Sequence, residues 1–221
     1  MLGGAEFTGG SITCFVGPMF AGKTSAMLAE VTRFRLAGRA AVIVVRVGAD
    51  RPELGRANSG SGDGDGEVDG LTRLTSHSPH LNPVGDAPAS GALAAVRVVA
   101  AVHLADVVLR DDELAVGVDE GQFFGDLAEV AGRWADEGRA VVIAALDGDF
   151  MRAPFAPVAA LLPLCDASRV VKVAGVCGDC RTAPSSFTRR IVAEDSVVLV
   201  GGADKYVAVC RGCYKSAMPS K

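Results

Sequence analysis

The chain is short of lysine and histidine, and it has no surplus of positive charge. Lys23, Lys172, Lys205, Lys215 and Lys221 are the only lysines in 221 residues, the formal net charge is −4 and the pI about 5.4. Such a balance offers no overall basic field to a nucleic-acid backbone, so no nucleic-acid partner is expected. Long apolar runs are missing too. The longest uncharged stretch near the start, residues 7–22, is broken by Gly and Pro and has no basic residue before it. It reads neither as a signal peptide nor as a membrane span, and no membrane partner is expected. Internal repeats are absent. Cysteine is sparse, six residues with four of them in two CxxC pairs. That usage suits a reducing compartment and a metal better than an exported disulfide framework, and a cytoplasmic location is the expectation. What remains is 49% hydrophobic, ample for one sizeable domain with a small appendage.

One of the five lysines stands in a distinctive place. Gly17-Pro18-Met19-Phe20-Ala21-Gly22-Lys23-Thr24 fits the phosphate-binding pattern GxxxxGK[ST], between an apolar strand-like run at 11–16 and a helical stretch that begins at Thr24. Backbone N–H groups of such a loop face a phosphate chain, and the following helix adds its positive end. Lys23 would reach the outer phosphates and the Thr24 hydroxyl would hold Mg²⁺. Chance matches are easier in a chain with 27 glycines. The order strand, loop, helix is what favours function here.

Met27, Leu28, Val31, Phe34 and Leu36 recur at helical spacing and stop at Gly38, a natural C-terminal cap. Residues 40–47 are β-branched and apolar, as in a strand covered on both faces. Further strands are expected at 97–103, 114–118 and 141–146, a short helix or turn at 106–113, and an amphipathic helix at 127–137 ended by Gly138. Residues 50–70 are too rich in Gly, Ser and Asp to bury much apolar surface and read as a mobile insertion. Alternating strands and helices imply an α/β parallel sheet flanked by helices, of the phosphate-loop NTPase type, with ligands at the carboxyl ends of the strands. We expect this nucleotide-binding domain to span residues 1–168. From residue 169 to 221 the pattern changes to short strands, Arg-containing turns and paired cysteines, expected to form a small zinc-binding domain.

An apolar strand ending in Asp119-Glu120 supplies the second half of a nucleoside-triphosphate site. The aspartate would bind Mg²⁺ opposite Thr24, which leaves Glu120 free to accept a proton from an attacking hydroxyl or water. Cys177-Gly178-Asp179-Cys180 and Cys210-Arg211-Gly212-Cys213 could donate four thiolates to Zn²⁺, a closed and therefore structural set. Cys14 and Cys165 read as buried hydrophobes.

GPMFAGKTS at 17–25, VDEGQFF at 118–124, ALDGDFMRAPF at 145–155 and GGADKYVAVCRGCY at 201–214 resemble, in order, the type II thymidine kinases. The resemblance implies transfer of the γ-phosphoryl group of ATP to the 5′-hydroxyl of thymidine or deoxyuridine in nucleotide salvage, with Glu120 as base. It implies an ATP site that includes Asp119, Glu120, Gly121 and Gln122. The nucleoside pocket would draw on Met19, Leu146, Phe150, Thr188 and Tyr206. Val197, Val198, Leu199, Val200 and Gly201 correspond to a lasso that reads the base through its main chain, carried on the zinc ribbon. A homotetramer is also implied. The family's Asp-x-Arg after the second strand is altered to Ala49-Asp50-Arg51-Pro52, and His77 sits in a Ser/Thr-His element. A nucleic-acid-dependent ATPase is the alternative, but helicase motors need two such domains. A switch without catalysis leaves Glu120 unexplained.

Overall fold

The computed structural model describes residues 9–47, 96–193 and 201–217. Arg51, His77, the 50–70 insertion and four lasso residues, Val197 to Val200, lie outside that set.

Two apolar strands open the chain, β1 (Ser11–Gly17) and β2 (Ala40–Arg46), joined through helix α1 (Lys23–Leu36). Then come β3 (Val96–Ala101), β4 (Glu113–Val118), α2 (Leu127–Asp136), β5 (Ala140–Leu146), α3 (Ala156–Leu161) and β6 (Val170–Lys172). These six strands form one parallel sheet in the order β3-β2-β4-β5-β1-β6. Burial follows position. Val42, Ile43, Val44 and Val45 of β2 are fully buried because strands flank it and apolar side chains cover both faces, whereas all three residues of edge strand β6 are exposed. Strand β6 falls beyond residue 168, where the second domain was expected to begin, yet it belongs to the main sheet.

Helix α1 lays Met27, Leu28 and Val31 on one face of the sheet against Ala41, Ile43, Val45, Ala115, Val142 and Ala144. Gly117 makes room for this approach: a Cβ there would stand 3.2 Å from Val31 Cγ2. The helix ends as its sequence suggests, with Gly38 in the left-handed region at φ 75° and the Arg39 N–H bonded to the Phe34 carbonyl. Helix α2 covers the opposite face with Leu127, Val130, Ala131 and Trp134. Each large side chain so buried contributes roughly 1.5–3 kcal/mol.

The C-terminal unit is much smaller. An antiparallel pair, β7 (Phe187–Arg190) and β8 (Tyr206–Val209), leads into helix α4 (Arg211–Ala217). Its fully buried core is Cys177, Val209 and Tyr214, with Phe187 and Val207 packed alongside. Two strands and so small a core are marginal alone in water. Among the described residues, no helix is long and apolar enough to cross a membrane.

Candidate active site

Strand order brings β4, β5, β1 and β6 side by side, so four carboxyl ends open on one crevice. From β1 comes the phosphate loop. Gly17 (φ 146°), Phe20 (φ 60°) and Gly22 (φ 84°) take conformations that turn the chain sharply before α1. At Gly17 a Cβ would stand 2.3 Å from the Val173 carbonyl oxygen, so that close approach of loop and β6 extension requires glycine. Lys23 Nζ donates to the Pro18 carbonyl at 2.7 Å. Burial pushes the Lys23 ammonium below its ordinary 10.5, against the opposing pull of Glu120, Asp119 and Asp147. A desolvated cation at the mouth of a backbone N–H cradle is prepared for a polyanion.

From β4 comes the acidic pair. Asp119 is 1% exposed and accepts the Thr24 hydroxyl at 2.9 Å on Oδ1. The bond joins residues 95 positions apart, in the arrangement expected of groups that share a divalent cation. Glu120 follows in the left-handed region, φ 54° and ψ 42°, and opens the single 3-10 turn Gly121–Phe123. A non-glycine residue held there is strained, a cost that surrounding structure has to impose. Gln122 is buried in that turn, its Nε2 donating to Glu120 Oε2 and its Oε1 accepting the Leu146 N–H at 2.9 Å.

From β5 and β6 come two residues the sequence reading passed over. Asp147 directly follows β5 and pairs with Lys172, the last residue of β6, at 2.6 Å. The scarcity of lysine was the one signal that could have singled out Lys172.

The residues expected at the nucleoside come from both parts of the chain, Met19, Leu146 and Phe150 from the α/β part and Thr188 and Tyr206 from the C-terminal unit. Thr188 on β7, 5% exposed, accepts the Met19 N–H of the phosphate loop at 3.0 Å. Arg190, two residues on, lies 3.9 Å over the Phe150 ring and donates to the Tyr206 hydroxyl at 2.9 Å. Phe150 is also held through its carbonyl, which accepts the Tyr214 hydroxyl at 2.7 Å. Met19 is thus tied to Thr188, and Phe150 and Tyr206 are both tied to Arg190, while Leu146 is joined to Glu120 through Gln122. Arg190 was not anticipated from sequence. Gly201 is the one lasso residue within the described set.

The Sγ atoms of Cys177, Cys180, Cys210 and Cys213 all lie within 4.8 Å of one another. Sulfurs about 2.3 Å from a tetrahedral Zn²⁺ stand about 3.8 Å apart, and Cys180 and Cys210 are separated by 4.0 Å. The Thr182 hydroxyl, helped by the main-chain N–H groups of Thr182 and Ala183, holds the Cys180 thiol down at about 6. The Cys210 N–H donates to Cys177 Sγ at 3.2 Å. Main-chain donors favour the thiolates of Cys177 and Cys180 while neighbouring sulfurs push Cys213 up, and a closed four-sulfur cage of this size fits zinc, which the cluster could hold.

Comparison with known proteins follows the same residues. The chain matches the sequence profile described as "Thymidine kinase" over residues 10–61 and 91–214. It is 33% identical over 207 residues to a thymidine kinase of variola virus, covering 93% of this chain and 97% of that one. It is 35% identical over 212 residues to the cytosolic thymidine kinase of Gallus gallus, covering 96% and 80% respectively. The bovine cytosolic enzyme shares 34% over 214 residues. Matching sequence over nearly the whole chain, together with the joined Thr24 and Asp119, leads to one statement: this chain belongs to the thymidine kinase family.

Proposed function

We propose that the protein transfers the γ-phosphoryl group of ATP to the 5′-hydroxyl of thymidine, and of deoxyuridine, in nucleotide salvage. The hydrogen bond from Thr24 to Asp119 carries this reading, because it sets a hydroxyl and a carboxylate around one point at the mouth of the phosphate loop. There they would hold Mg²⁺, whose charge would offset that of the transferring phosphoryl group. The 17–24 loop takes the phosphates with main-chain donors other than Pro18, which has none, and Met19, whose N–H is held by Thr188. Lys23 neutralises the outer phosphates, and Asp119 to Gly121 complete the ATP site with Gln122 behind Glu120. Glu120 accepts the proton of the 5′-hydroxyl as that oxygen attacks phosphorus.

The base lies against Met19, Leu146, Phe150 and Tyr206, with Thr188 beside its 5-methyl group. Main-chain groups of Val197 to Gly201 read its edge. A fixed donor and acceptor pattern penalises a base with an amino group where thymine has a carbonyl by about 1–3 kcal/mol per unpaired group. Zn²⁺ on the four cysteines is structural. A cytoplasmic homotetramer completes the reading.

Incubation with ATP, Mg²⁺ and a nucleoside panel tests it. Thymidine and deoxyuridine should be phosphorylated, deoxycytidine poorly and purine nucleosides not at all. Glu120→Gln should bind both substrates but lose about 10²-fold or more in turnover. Equal turnover of deoxyadenosine, or an unimpaired Glu120→Gln enzyme, contradicts the assignment.

A further inference from the structure

Gln122 is 4% exposed and sits two residues beyond Glu120, inside the 3-10 turn that follows β4. Its orientation is dictated by the valence of its partners. The Leu146 main-chain N–H can only donate, so it requires Oε1, and Nε2 is left to face the Glu120 carboxylate. A carboxamide engaged at both ends cannot turn about its terminal bond without breaking both hydrogen bonds. Glu120, by contrast, has its main chain fixed at φ 54° by the turn while its side chain retains rotatable bonds. Bonds from Phe123 N to the Glu120 carbonyl (3.1 Å) and from Phe124 N to the Gly121 carbonyl (3.1 Å) hold the turn beneath it. A Cβ at Gly121 would meet Ile143 Cγ2 of β5 at 2.9 Å, so the turn is pressed onto that strand.

We propose that Gln122 is a positioning residue: it selects the rotamer of Glu120 and refers it to the carboxyl end of β5, beside Leu146. This rests on Glu120 being the proton acceptor. The carboxamide acts on the base and not on the nucleotide, so its loss lowers kcat and leaves substrate affinity intact. A base displaced by about 1 Å from the hydroxyl it serves can lose up to 10²-fold in rate.

The test is a double-mutant cycle on the full-length, zinc-loaded protein. Gln122→Met keeps volume and removes both hydrogen bonds. We expect kcat to fall about 10-fold or more, with ATP and thymidine dissociation constants, read by calorimetry, within about 2-fold of the parent. In the Glu120→Gln background the same change should cost nothing further, because a residue that acts through Glu120 has nothing left to act on. If Gln122→Met does not fold, Gln122→Glu serves in its place, since it keeps an acceptor for Leu146 and sets a like charge against Glu120. A parental kcat in these variants, or losses that multiply in the double variant, overturns the positioning role. Full turnover by Glu120→Gln alone removes the base assignment as well, so the two failures are distinguishable.

Discussion

Gly17 shows how little latitude a single position can have. Its φ of 146° disfavours any L side chain, and a Cβ would stand 2.3 Å from the Val173 carbonyl. Gly17→Ala should cost more than about 2 kcal/mol of stability, read by urea unfolding, and a variant as stable as the parent contradicts the packing. Lys23 is the opposite case, a residue placed for function at little net gain to the fold. Its ammonium pays a desolvation cost and recovers a hydrogen bond to the Pro18 carbonyl. Lys23→Met removes both, so the thermal midpoint of the free protein should move by no more than about 3 °C, which is about 1 kcal/mol at this chain length. Phosphoryl transfer should fall at least 10²-fold, roughly the loss from removing a preorganised donor. A large midpoint shift with activity retained would mark Lys23 as structural. Gly17, Gly22, Lys23 and Thr24 were legible because the spacing of a phosphate loop is fixed by its own backbone. The pairings of Lys172 with Asp147 and of Gln122 with Leu146 were not, since those partners meet through strand order and turn geometry that no local pattern encodes.

The strands of the sheet were readable for a related reason: a strand covered on both faces has to be largely apolar, and β1, β2, β4 and β5 are. Edge strand β6 has only three exposed residues and no such signature, which is why the sheet extends past the expected boundary. The pin between β3 and β4 was equally hidden. Glu113, 3% exposed, takes Arg97 Nε on Oε1 and Arg97 Nη2 on Oε2, each at 2.7 Å, and Oε2 also accepts the Arg110 N–H at 2.8 Å. Burial pushes the carboxyl up, but Arg97 and the Arg110 N–H outweigh it and hold Glu113 below its ordinary 4.5. The folded state therefore favours the carboxylate. The contribution of this pair is complete above about pH 4.5 and is lost as pH falls through the lower, folded value. Glu113→Gln should cost about 2–3 kcal/mol at neutral pH and flatten the acid limb of the stability curve. Thermal unfolding from pH 7 to pH 3 checks both, and parallel curves for parent and variant would contradict the role given to the pair.

At the scale of the whole molecule, the proposed function gives the phosphate chemistry to a large α/β sheet and the nucleoside side in part to a small unit with little core of its own. Zn²⁺ held by the four-cysteine cluster would stabilise that unit and couple metal affinity to local folding. Chelation should release one zinc per chain and speed hydrogen exchange in β7, β8 and α4 before it affects β2 or β5, and full activity in demonstrably zinc-free protein would refute this. The contact between the two parts has a consequence for how the substrates sense each other. Thr188 stands on β7, and its hydroxyl accepts an N–H of the phosphate loop. On the proposed function, whatever thymidine does to order β7 would be passed to the ATP cradle, and linkage makes the effect reciprocal: each substrate changes the affinity of the other by the same factor. Thr188→Val keeps the shape and deletes the acceptor. One hydrogen bond of this kind accounts for roughly a 2- to 10-fold factor, so calorimetric titrations of ATP with and without thymidine should converge in the variant, leaving two substrates that bind in ignorance of one another.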